Sequence, residues 1–159
     1  MHRNLFDCVN TDPAKTNLPD GTNPDAADAC AKYNAIIHSV GGINLQLLGL
    51  GLNGHIGFNE PGEAFELETH CVDLTQETIE ANKRFFDGNV DLVPKQAYTM
   101  GIKTIMQARK VLMVANGKGK AEIVKKAFFG PVTPEVPASI LQMHPDFTLV
   151  GDEEALSLI

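Results

Sequence analysis

The chain has 159 residues, 43% of them hydrophobic, enough for one domain with a sizeable core. With 20 acidic against 13 basic residues the net charge is −7, which argues against nucleic acid or an anionic membrane as partner. No stretch approaches a membrane span, the N-terminus MHRNLFDCVN lacks the apolar core of a signal peptide, and Cys8, Cys30 and Cys71 are too few and too scattered for a disulfide framework, so a cytoplasmic globular protein is expected.

In chain order, residues 1–8 read as the end of a helix with apolar Leu5 and Phe6, followed by a loop over 9–24 rich in turn formers. Asn23-Pro24-Asp25 starts the next helix, which runs from Ala26 to Val40 and ends at Gly41-Gly42. GINLQLLGLG is a largely apolar strand of the kind found in parallel sheets covered on both faces. Residues 66–74 are ambiguous between loop and a short edge strand. Thr75 can cap a helix whose early Glu77 and Glu80 favour its positive end, and Asp87-Gly88-Asn89 stops it. A short strand, AYTMGI, a helical turn, TIMQARK, and a buried strand, VLMVAN, follow. GKGK then leads into the helix AEIVKKAFFG, with PASILQMH a short helix and FTLVGD a final strand. Alternating strands and helices predict an α/β fold, three-layered and Rossmann-like, with a mostly parallel sheet flanked by helices in one domain spanning 1–159.

The most informative stretch is LLGLGLNGHIGFNEPG, residues 47–62. An apolar strand breaks at Gly49 and Gly51 and then presents Asn53, His55, Asn59 and Glu60 among glycines. The carboxyl ends of parallel strands open onto the crevice where ligands sit. Histidine is the side chain that titrates nearest neutrality, and Glu60, five residues on, can orient or charge it. Turn hydrogen bonding explains Asn53 and Asn59 equally well. The five histidines, His2, His38, His55, His70 and His144, show no zinc-site spacing, so no metal is predicted.

GLGLNGHIGFNEPG resembles the signature of the glucosamine-6-phosphate deaminases, which convert glucosamine 6-phosphate to fructose 6-phosphate and ammonia. The resemblance extends from MHRNLFDCV through NKRFFDGNVDLVPKQAYTMGIKTIMQA and GKGKAEIVKKA to PASILQMHPDFTLVGDEEA. The related phosphogluconolactonases share a Gly-His turn without the following Phe-Asn-Glu-Pro. The resemblance implies a cofactor-free hydrolase of amino-sugar catabolism acting on a small sugar phosphate. His55 would be the acid/base that opens the sugar ring, with Glu60 and Asn53 orienting it. Family members carry Asp or Asn at position 53, and the Asn found here supplies hydrogen bonds without charge.

The resemblance also implies that Arg84 and Lys120 hold the phosphate, Arg84 from a mobile lid over residues 75–94. Gly54 belongs to the same turn as His55, and Gly119 to a strand–turn–helix junction whose free N–H groups and dipole favour an anion. Taken alone, each of these cations reads better as a solvated surface charge, and the phosphate role rests mainly on the resemblance. Complete family members begin upstream, with a phosphate-binding Gly/Ser turn and an Asp that acts as base on C2, and neither has a counterpart here. The chain is therefore expected to be a C-terminal portion, with a sheet edge and apolar helix faces exposed, poorly soluble or dependent on a partner for the missing part. Where allosteric hexameric members bind N-acetylglucosamine 6-phosphate, this chain has Glu63, His70 and Val72. No such regulatory site is expected. Monomer and homo-oligomer both remain open, the simpler monomeric branch fitting better.

Overall fold

The computed structural model describes residues 2–159. Its central element is a three-stranded parallel sheet in the order β1–β4–β5, formed by Leu45–Gly49, Lys110–Ala115 and Phe147–Gly151. A separate antiparallel ribbon pairs β2, His70–Asp73, with β3, Gln96–Thr99. The helices are α1, Ala26–Ser39, α2, Gln76–Asn82, α3, Ile102–Met106, and α4, Ala121–Phe129. No helix of the described residues is long and apolar enough to cross a membrane.

Local signals account for most boundaries. The Asp25 carboxylate caps α1 by accepting from the N–H groups of Ala27 and Asp28, and Gly41 and Gly42 end the helix at positive φ. Thr75 caps α2 by accepting from Thr78 N–H. That helix is shorter than the sequence suggests. It tightens at Lys83–Phe85 into a 3-10 turn, and Asp87 and Gly88, with φ of 53° and 79°, reverse the chain. The ambiguous stretch resolves as β2, an edge strand whose partner is β3.

The expected N-terminal helix is not formed over the described residues, Met1 lying outside them. Residues 2–8 make turns and one 3-10 turn, Phe6–Cys8, with none of its residues buried. A helix this short is not stable without a packed face.

One face of the sheet is closed. Leu48, Val111, Met113 and Ala115 pack with Ile123, Val124 and Ala127 of α4, and with Ala138 and Leu141 of the 3-10 segment Pro137–Met143. Ile56, Ile102 and Ile105 extend the same cluster beneath the loop that follows β1. The opposite face, bearing Leu45, Leu47, Val114 and Val150, stays exposed. The uncovered apolar surface thus lies on a face of the sheet, where the sequence reading expected it on a sheet edge and on helix faces.

Candidate active site

The loop after β1 is tightened by its own backbone. Gly51 N–H donates to the His55 carbonyl at 2.9 Å, and Gly54 N–H donates to the Gly51 carbonyl at 3.1 Å. The His55 ring lies so close to Gly51 that a Cβ there would meet it at 2.5 Å. Gly51 therefore exists to let the imidazole lie across the backbone. Farther along, the buried Asn59 donates its amide to the carbonyls of Ile56, at 2.8 Å, and Met100, at 2.9 Å, and Phe58 N–H donates to Thr99 Oγ1. Asn59 thus ties the loop to β3 and the residue after it, the structural role that was open for it in the sequence.

Asn53 serves both as turn bond and as bridge. Its Oδ1 accepts from His55 N–H at 3.1 Å, while its Nδ2 donates to Glu60 Oε2 at 2.7 Å. The same Oε2 stands 3.3 Å from His55 Nδ1. That contact has ion-pair distance without hydrogen-bond alignment, and Nδ1 has no other partner among the described residues. Glu60 is nearly buried, and its second oxygen is held from α2: Thr78 Oγ1 donates to Oε1, and Thr75 Oγ1 lies 3.4 Å away. One carboxylate thereby joins the His55 turn to the first turn of α2. The sequence marked Thr75 as a helix cap but offered no sign of its link, or that of Thr78, to Glu60, which lies 15 or more positions earlier in the chain.

Asn53, His55 and Thr78 face a cleft of about 580 Å³ at the carboxyl end of β1, while Glu60 and Thr75 line a neighbouring cavity. Asn53, His55, Thr78, Arg84 and Lys120 all line it, with Gln46, Leu47 and Gly49 forming the β1 wall. Glu77 is the only carboxylate on the lining. Lys120 reaches across from the start of α4 and donates to the Leu50 carbonyl at 2.5 Å. Burial and, next, the Arg84 guanidinium hold the Lys120 ammonium below its ordinary value of 10.5. Lys120 is half-buried and Arg84 exposed, both on the lining of the cleft. Arg84 itself rests over the Phe85 ring, 4.8 Å from its centroid.

The two glycines are placed differently from the side chains, for neither lines the cleft. Gly54, at φ 90°, backs against Val136 and Ile123, and its carbonyl accepts from Ala138 N–H at 2.9 Å. It shapes the turn from behind. Around Gly119 the expected free N–H groups are partly taken. Gly117 N–H donates to both oxygens of Asp152, at 2.9 and 3.0 Å, and Lys118 N–H to Glu154 Oε2, at 3.2 Å. At this junction the chain's own acids thus take the N–H groups of Gly117 and Lys118, and the cation reaching the cleft from it is Lys120. His144, the other buried histidine signal, is structural, bridging the Ala108 carbonyl and Asp146 N–H.

Residues 1–149 match the family described as glucosamine-6-phosphate isomerases/6-phosphogluconolactonase. The chain belongs to this family. It is 55% identical over 150 residues to a glucosamine-6-phosphate deaminase of Lachnoclostridium phytofermentans, covering 94% of this chain and 63% of that protein. A deaminase of Clostridium perfringens is 52% identical, over 100% of this chain and 65% of its own length. Among solved structures, a monomeric glucosamine-6-phosphate deaminase superposes with a TM-score of 0.95 at 42% identity, covering 100% of this chain and 66% of that one. The 6-phosphogluconolactonase of Thermotoga maritima, at 20% identity and a TM-score of 0.68 over 95% of this chain and 62% of its own, shares the fold. The chain thus spans a little under two thirds of the length of these deaminase-family relatives. Like them, it has the α/β fold with a parallel sheet and flanking helices.

Proposed function

We propose that the chain carries the ring-opening and phosphate-holding part of a glucosamine-6-phosphate deaminase site, working in the cytoplasm without a cofactor. The observation that supports this most is the meeting of Asn53 and His55, backed by Glu60, with Arg84 and Lys120 in one cleft. In this reading the phosphate of glucosamine 6-phosphate lies between Arg84 and Lys120, which fixes the sugar by charge-assisted bonds. His55 delivers a proton to the ring oxygen and takes one from the C1 hydroxyl, opening the pyranose. Glu60, held by Asn53 on one side and by Thr78 on the other, steadies the imidazole as its charge changes. A proton then moves from C2 to C1, and water replaces the amine at C2, so that fructose 6-phosphate and ammonia leave. Aldose–ketose isomerisation carries the chemistry, and the hydrolytic part is only the release of ammonia. Isomerase–deaminase therefore describes the reaction better than hydrolase.

Residues 75–94 act as the lid in this proposal, because Arg84 and the Glu60-bound end of α2 both belong to them. The cavity behind Glu60, about 550 Å³, is lined by Glu63, Glu66, His70, Val72 and Asp73 among others. Its carboxylates repel a phosphorylated effector.

A second reading is favoured by the composition of the cleft. Glu77 alone among its lining residues is a carboxylate, whereas C2 proton transfer needs a positioned base. The chain by itself would then bind sugar phosphate without turning it over. Ammonia release from glucosamine 6-phosphate, measured beside calorimetric binding of fructose 6-phosphate, separates the readings. Release abolished by Glu77→Gln assigns the base within the chain, and binding without release supports the second reading. If neither ammonia release nor phosphate-dependent binding occurs, both fail.

A further inference from the structure

The carboxylate beside His55 is fixed from an element that lies well away from it in the chain. His55 Nδ1 is shut off from solvent, and Glu60 Oε2 faces it at 3.3 Å. A buried ring nitrogen that turned its lone pair towards a carboxylate oxygen would set two acceptors against each other. Nδ1 therefore carries a hydrogen, and Nε2 is the nitrogen left for proton traffic. That assignment lasts only while Oε2 stays in place. From its own turn Glu60 receives one side-chain bond, Asn53 Nδ2 donating to Oε2 at 2.7 Å. A bond at one oxygen leaves the carboxylate free to swing about its last torsion, which has broad wells.

The bond at the other oxygen, Oε1, comes from Thr78 in the first turn of α2. Thr78 is 3% exposed, and its Oγ1 meets two oxygens, Glu60 Oε1 and, at 3.1 Å, Thr75 Oγ1. A hydroxyl has one hydrogen and a carboxylate has none, so Thr78 donates to Glu60 and accepts from Thr75. Thr75 Oγ1 in turn accepts from Thr78 N–H at 3.2 Å, which holds the hydroxyl pair in one arrangement. Asn82 Nδ2 donates to the Thr78 carbonyl at 2.8 Å, and Arg84 follows in the next turn. The stretch that brings Arg84 to the cleft thus also clamps the far oxygen of Glu60.

We propose that Thr78 is a positioning residue for ring opening. Its hydroxyl pins Glu60 Oε1, so that Oε2 stays against His55 Nδ1 and keeps the imidazole in the tautomer whose Nε2 exchanges protons with the sugar. The inference rests on the reading of His55 as the acid/base of the site. Nothing in the local sequence marks this threonine, because its partner lies 18 positions earlier.

Ring-nitrogen NMR of the intact chain, with isotope-labelled histidine and at alkaline pH where imidazoles are neutral, reads the tautomer. The His55 signals are those lost in His55→Gln. In the unsubstituted chain Nδ1 should show the protonated type and Nε2 the bare type. Thr78→Val keeps the shape and deletes the hydroxyl, and should move both signals towards a mixture of tautomers. Thr78→Ser keeps the hydroxyl and should restore the original pattern. If Thr78→Val does not fold, Thr78→Ala takes its place with the same expectation. In whichever form of the protein releases ammonia, loss of the hydroxyl should lower kcat about 10- to 100-fold, the scale of a small misplacement, with KM changed about twofold or less. An unaltered His55 pattern in the hydroxyl-free variant would overturn the proposal. So would an equal disturbance in Thr78→Ser, which would make Thr78 a packing residue, or a rise in KM at constant kcat. The spectra need no turnover, so the two readings fail separately. Ammonia release indifferent to His55→Ala sinks the ring-opening role, whereas an unmoved tautomer sinks only the role of Thr78.

Discussion

The two sides of the cleft are built on different principles. The turn from Gly49 to Gly62 is cross-linked at nearly every step: Gly51 to His55, Asn53 to His55 and Glu60, Phe58 to Thr99, and Asn59 to both Ile56 and Met100. The facing stretch, from α2 to the 3-10 turn Val90–Leu92, has α2 anchored through Thr78 and Ile79, while Phe85 and Leu92 stand more than half exposed. The turn braces the backbone that carries the imidazole, and the facing stretch carries a cation on a long side chain. Proton transfer needs the first kind of support, and phosphate capture tolerates the second. Glu60 touches both, through Asn53 on the turn and Thr78 on α2.

That contrast can be broken most decisively at His55. In whichever form of the protein releases ammonia, His55→Ala should lower kcat by about 10² to 10⁴, the span typical of a lost general acid/base, with little change in the affinity for fructose 6-phosphate. A loss of affinity instead would mean that the turn binds and the facing side catalyses.

The cations come next. Arg84→Ala or Lys120→Ala should raise KM by about 10- to 100-fold, consistent with losing one charge-assisted bond of roughly 1.5–3 kcal/mol, while kcat falls far less. Lys120 adds a pH signature. Its ammonium is depressed by burial and by Arg84, so it loses its proton at lower pH than an ordinary lysine, and a bound phosphate must push it back up. Affinity for inorganic phosphate should therefore decline as alkaline pH is approached, with proton uptake on binding. In Lys120→Ala both effects should vanish in calorimetry repeated in buffers of different ionisation enthalpy.

Rigidity itself is tested at Gly54. At φ 90°, with a Cβ placed 2.8 Å from Val136 Cγ1, Gly54→Ala should cost about 1–3 kcal/mol in urea unfolding. The smallest effect belongs to the facing stretch: Phe85→Ala removes the ring beneath Arg84 and should raise KM about threefold or less, with stability changed by no more than roughly 0.5 kcal/mol. A larger stability loss at Phe85 than at Gly54 would reverse the comparison.

Much of this was legible in the residues. The alternation of apolar runs with capped amphipathic stretches located α1, β1, α4 and β5 to within a few positions, because caps, glycine stops and β-rich runs act over a handful of neighbours. The glycine-punctuated LNGHIGFNEPG stretch pointed to a site by its chemistry alone, and the family resemblance carried Arg84 and Lys120 into it. The N-terminal helix failed as an expectation because a short apolar stretch needs a surface to pack on, and Phe6–Cys8 has none among the described residues. α2 ended at Asn82, tightening into the 3-10 turn Lys83–Phe85 before the Asp87-Gly88 reversal that the sequence marked as its stop.

Only the tertiary structure decided the rest. The sequence by itself determined which elements form and which residues could do acid/base chemistry, since both depend on local torsions and intrinsic side-chain chemistry. Distances across the chain lay beyond it. Glu60 meets Thr78, Lys120 meets Leu50 and comes near Arg84, Asp152 and Glu154 fill the turn beside Gly119, and the parallel register turns one set of leucines and valines to the core and the next to open water. Those outcomes follow from how strands align and loops close over dozens of residues, and no local pattern encodes them.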